Sequence, residues 1–96
     1  MRTIWKYTLT TDALQTLDIP GQPEFLDVSV QRGEPVLWVD VDTDETTQRY
    51  VIRTYGTGHP HNENEIKTYL GSYRLHDGAF VGHVYAVRAY KQGDQS

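Results

Sequence analysis

The sequence predicts an all-β fold, a small antiparallel sandwich or barrel of six to seven strands. Two observations carry this. Tyr69–Val87 places runs rich in aromatic and β-branched residues on either side of Asp77-Gly78. Asp-Gly between such runs signals a hairpin, because a type I′ turn needs positive φ at both central residues. Along the rest of the chain, short alternating runs recur with turn signals every ~8–12 residues, the spacing of a sandwich or barrel.

The elements follow in order. Thr3–Leu9 alternates, with Trp5, Tyr7 and Leu9 on one face, as an edge-like strand with one buried side does. Leu14–Ile19 is a short second run in which Leu17 and Ile19 share a face with Gln15, and it ends in the loop Pro20-Gly21-Gln22-Pro23. Phe25–Gln31 reads as a strand with Leu26, Val28 and Val30 inward. A tight turn at Arg32-Gly33 returns the chain through Pro35–Asp42, with Leu37, Val39 and Val41 on one face and Val36 and Trp38 on the other. Pro35 has no N–H to donate and so belongs at a strand start.

After the polar turn Asp42–Thr47, Gln48–Tyr55 alternates again, with Tyr50 and Ile52 opposite Val51, Arg53 and Tyr55. Residues 56–65 are the least regular. Asn62 and Glu65 have capping-box spacing and Ile66, Tyr69 and Leu70 follow at helical spacing, so one short helical turn near 62–69 competes with a loop running straight into a strand at Thr68. The last hairpin follows. Residues 1–90 form a single domain and 91–96 a polar tail.

A chain of 96 residues buries somewhat over ~60% of its unfolded surface, enough for one core without staples. It has no cysteine, which excludes disulfides and thiolate sites. The first dozen residues contain no apolar stretch of the kind that directs secretion, and no run approaches the ~20 apolar residues of a membrane span. A cytoplasmic protein without membrane contact is expected. The net charge of −4 and the scattered Lys and Arg argue against a sequence-independent nucleic-acid binder.

No motif supplies chemistry outright. His59, His61, His76 and His83, with Asp77, contain metal-ligand types but no ligand spacing, so no metal and no cofactor are expected. Asp40, Asp42 and Asp44 begin like a calcium loop, but Glu45 and Val51 occupy the positions that require Gly and a bidentate Glu. Ser72 falls opposite His83 in the hairpin register, without a nucleophile elbow.

Two features remain as binding elements. Gly56-Thr57-Gly58 after a strand has the parts of an anion nest. The seven tyrosines place Tyr55, Tyr85 and Tyr73 as aromatics for a less buried strand face, and Tyr and Arg are the residue types that concentrate binding energy. The candidate ligand-binding set is Arg53, Tyr55, Gly56, Thr57, Gly58, His59 and His83, with no catalytic residue.

The segments I-W-K-Y-T-L at 4–9, L-W-V-D-V-D at 37–42, Y-G-T-G-H-P at 55–60 and L-H-D-G-A-F-V-G-H-V-Y at 75–85 resemble a family of small bacteriophage and prophage proteins catalogued as a domain of unknown function. The likeness spans Ile4 to about Tyr85. It implies a stand-alone domain of phage origin, with no reaction assigned. His59, Gly56, Gly58 and His83 match its recurring pattern, and 61–67 looks like its variable part.

The expectation is a non-catalytic module that antagonises a host defence or regulatory component, by binding a host protein or sequestering a nucleotide-like ligand, and that forms homo-oligomers. The alternatives are a structural or virion-associated phage protein and, behind it, a small His-dependent hydrolase.

Overall fold

The computed structural model describes residues 1–91 and is all-β. Among the described residues there are seven strands: β1 (Arg2–Thr8), β2 (Leu14–Pro20), β3 (Glu24–Gln31), β4 (Glu34–Asp42), β5 (Thr47–Gly56), β6 (Glu65–Leu75) and β7 (Phe80–Tyr90). They form two antiparallel sheets, of order β1-β4-β3 and β2-β5-β7-β6. Of the polar tail expected at 91–96, all but Lys91 lies outside the described residues.

The core sits between the sheets. Leu37, Val39 and Val41 of β4 face Ile52 of β5 and Val84 of β7, and all five side chains are fully buried. β1 is an edge strand, as its pattern predicts. The Tyr7 hydroxyl donates to the Asp18 carbonyl of β2 at 3.1 Å and links the two sheets along that rim. At the opposite rim β3 approaches β6. A Cβ on Gly71, whose φ is +152°, would lie 3.0 Å from the Val28 Cβ, so only glycine permits this approach.

Both hairpin turns behave as their sequences require. Arg32 and Gly33 have φ of 53° and 79° between the paired Gln31 and Glu34. Asp77 and Gly78 have φ of 55° and 88°, and the Ala79 N–H donates to the His76 carbonyl at 3.0 Å, closing a type I′ turn. His76 is also left-handed, so the strands begin pairing at Leu75 and Phe80.

Three expectations need correction. Leu26 and Val30 are exposed rather than inward. A bulge between Phe25 and Asp27 shifts the alternation so that Phe25 and Val28 face inward and Leu26 outward, and Val30, on the same side as Val28, lies near the end of the strand opposite Pro35. Tyr73 is buried in the core rather than on the outer face. A second bulge between Tyr69 and Gly71 turns Tyr69 outward and Tyr73 inward. No helical turn forms in 62–69. Residues 63–64 make a turn and β6 starts at Glu65, ahead of the expected Thr68.

Topology explains the missing helical turn. β5 and β6 both run antiparallel to β7, on its two sides. They are therefore parallel to each other, and their connection has to travel back along the sheet. It leaves Gly56, opposite Gly82, and arrives at Glu65, opposite Tyr90. Eight residues of strand separate those levels, about 26 Å at ~3.3 Å each. An eight-residue connection has that reach only when mostly extended, and a helix rising ~1.5 Å per residue would fall short.

Candidate functional site

The crossover 57–64 passes over the outer face of the four-stranded sheet and creates the site. Pairing sets two rows of side chains across β5, β7 and β6. Arg53 lies beside Tyr85 and Tyr69, and Tyr55 beside His83 and Ser72. These are the outward members of strands whose inward members, Ile52, Val84 and Ala86, fill the core.

Tyr55 points outward yet is only 8% exposed, because the crossover covers it. The His61 imidazole stacks on its ring, with centroids 4.0 Å apart and planes 7° from parallel. The Asn62 N–H donates to the Tyr55 hydroxyl at 3.0 Å. Tyr85 stands edge-on to both rings, 5.9 Å from Tyr55 and 5.5 Å from His61, and Tyr69 packs edge-on against Tyr85 at 5.3 Å.

Beneath this cap lies Glu65, whose side chain is fully buried. A buried carboxylate is tolerated only when its charge and lone pairs are matched. The Arg53 guanidinium donates twice to Oε2, from Nε at 2.9 Å and an Nη at 2.6 Å, and the Tyr55 hydroxyl donates to Oε1 at 2.6 Å. The Lys67 ammonium lies 3.6 Å from Oε1. Burial alone pushes the Glu65 carboxyl up. The hydrogen bonds from Tyr55 and Arg53 and the charges of Arg53 and Lys67 outweigh it, and the net position is below the ordinary carboxylate value. The same hydrogen bond to Glu65 raises Arg53.

Lys67 completes the cluster. It donates to the Asn62 carbonyl at 3.1 Å and sits 5.0 Å from the Tyr55 centroid and 5.6 Å from that of Tyr85, within cation–π range of both. Two cations therefore surround one carboxylate, leaving one excess positive charge under the crossover.

A second network pins the start of the crossover. His83 Nδ1 is 2.8 Å from Ser72 Oγ and its Nε2 is 2.8 Å from Thr57 Oγ1, and Ser72 is in turn 2.6 Å from the Tyr69 hydroxyl. Both imidazole nitrogens bind hydroxyls, and no carboxylate touches the ring among the described residues. The arrangement clamps strand and loop together. Among the described residues no three His, Asp or Glu side chains converge to hold a metal ion.

Of the residues singled out from sequence, Arg53, Tyr55, Thr57 and His83 thus fall on one face. Gly56, Gly58 and His59 build the turn that opens the crossover. The His59 N–H donates to the Gly56 carbonyl at 3.1 Å, and a Cβ on Gly56 would lie 3.0 Å from the His59 ring. That N–H is therefore engaged within the turn rather than open to an anion.

Sequence reasoning missed Glu65, Lys67 and Tyr69 as site residues and set His61 aside as variable. A signal for Glu65 was present: a carboxylate opening a strand after a Gly/Pro-rich run, on the same chain as a strand with an outward Arg53 and Tyr55.

The fold and site define a small β-sandwich with an aromatic and cationic outer face, capped by its own crossover. The chain belongs to a family described as a domain of unknown function, DUF7352, whose model matches residues 1–94. No curated protein and no solved structure matches it significantly. No helix among the described residues is long and apolar enough to cross a membrane.

Proposed function

We propose that this protein is a non-catalytic binding module of phage origin that engages a host component through the outer face of β5, β7 and β6. The component is a protein or a nucleotide signal belonging to host defence or regulation, and the setting is the host cytoplasm. The phage setting is supported by the likeness of the segments at 4–9, 37–42, 55–60 and 75–85 to phage proteins.

One observation carries the binding reading. Buried Glu65 holds Arg53, Tyr55 and Lys67 in fixed positions beneath the crossover, and Tyr85 and exposed Tyr69 pack on that base, so that the two outer tyrosines form a preordered surface backed by two cations. Preordering lowers the entropy lost on binding, and Tyr and Arg concentrate interface energy. What favours binding over hydrolysis is that both His83 nitrogens are engaged by hydroxyls without a carboxylate to orient the ring. Self-association is part of the proposal, supported by exposed Ile66 and Tyr69 on the β6 edge strand and exposed Tyr90 at the end of neighbouring β7.

Native mass spectrometry of the purified protein after exposure to host lysate tests this. A retained partner or small molecule is expected, with retention reduced at least tenfold by Tyr69→Ala and unchanged by Ile4→Ala on the other sheet. Loss through Ile4→Ala with full retention by Tyr69→Ala would contradict it.

A further inference from the structure

We propose that the floor under His61 is a binding site for a planar heteroaromatic anion of the nucleoside monophosphate class, and that the crossover occupies it with an internal mimic. This rests on the reading of the outer face as the recognition surface and names the ligand class.

The ring position is defined by what now fills it. Tyr55 gives the floor, parallel to the occupant within 7° at 4.0 Å, and Tyr85 gives a wall at 84° to it. Flat aromatic floors of this kind accept any base, because every base has a π-face. The occupant is a heteroaromatic ring from an exposed residue, whereas Tyr55 beneath it is buried. His61 can therefore leave without opening the core.

The anion position is defined in the same way. Lys67 Nζ now donates to the Asn62 carbonyl, the neighbour of the stacked ring. A phosphate oxygen in place of that carbonyl would meet Lys67 while its base met Tyr55. The surplus positive charge of Arg53 and Lys67 over Glu65 favours an anion there. A free phosphate would leave the aromatic floor unused, and an uncharged ring would leave the surplus positive charge beside Glu65 unanswered, so the two positions together select a ligand that joins ring to anion.

The His61 ring can leave its place without a strand pair being broken. Residues 57–64 have no strand pairing. The His61 ring is held by its stack on Tyr55 and its edge contact with Tyr85, whereas Asn62 beside it is anchored by hydrogen bonds to the Tyr55 hydroxyl, from Lys67 and the Glu65 N–H to its carbonyl, and from the Asn64 N–H to its Oδ1. A site filled by its own chain binds ligand with an apparent affinity reduced by the fraction of time it is open. Truncating the internal ring should therefore strengthen binding, the opposite of what a purely structural His61 would give.

Isothermal titration of AMP, GMP, CMP and UMP into the full chain at low salt, wild type against His61→Ala, is the test. Circular dichroism confirms the fold of each variant. The expected result is at least one nucleotide bound about tenfold more tightly by His61→Ala, with the gain abolished by adding Lys67→Ala. In the wild-type protein, NMR should show the His61 ring protons leaving the Tyr55 ring-current field on saturation. Equal or weaker binding by a folded His61→Ala, or His61 resonances unmoved at saturating nucleotide, overturns the proposal. A protein partner captured by both wild type and His61→Ala, without nucleotide binding, would overturn this inference and leave the recognition face standing.

Discussion

Glu65 is the residue on which the local energetics turn. It is enclosed, charged and answered by Arg53, Tyr55 and Lys67. Removing one partner from a buried pair strands the other charge, so Arg53→Met should destabilise the protein by about 3 kcal/mol or more in urea unfolding. The double variant with Glu65→Met should recover much of that loss. A depressed carboxylate stabilises the fold above its ordinary value of 4.5 and loses that contribution as pH falls through its lower folded-state value. Urea melts from pH 7 downward should therefore show stability falling below about pH 4.5, with the Glu65 share of that fall absent in Glu65→Gln. Little of this was legible beforehand. Arg53 and Tyr55 stood out by type, but their partner lies across a crossover whose path depends on strand order, which residue periodicity does not encode.

Elements were legible wherever local chemistry decides them. Asp77-Gly78 and Arg32-Gly33 specify their turns through positive φ, and the alternation of β4 and β5 reports their buried sides. The bulges at Leu26 and Leu70 were not legible, because an inserted residue changes nothing in composition while reversing every later side chain. Misreading them put Leu26 inside and Tyr73 outside. The helical spacing of Ile66, Tyr69 and Leu70 was likewise overruled by the distance the connection has to cover. Close approach of β3 to β6 gives a test at this scale. Gly71→Ala puts a Cβ 3.0 Å from Val28 at a φ of +152°, and should cost about 1–3 kcal/mol, part of which Val28→Ala relieves in the double variant.

For the whole molecule, two sheets around one core leave two outer faces and two open ends, and these are not equivalent. The three-stranded sheet turns outward a half-buried Trp38 bonded to Ser29 at 3.0 Å. One end opens as a cleft of about 650 Å3 beside Phe25, Tyr50 and Arg88. Among the described residues, the outer face of the four-stranded sheet alone has a crossover laid over it, stacking onto buried Tyr55 and wired to a buried carboxylate. The all-β class was open to sequence reasoning, but this asymmetry follows from the order β2-β5-β7-β6, which no single segment reveals. Hydrogen exchange along the whole chain, with and without the component retained from host lysate, tests the central claim most directly. Binding at this face predicts altered protection at 57–65 and in β6 and β7, with β1 and β3 unchanged. Protection changes confined to β1 and β3, or to the cleft residues at 22–25, 48–51 and 86–90 with 57–65 unchanged, would contradict it.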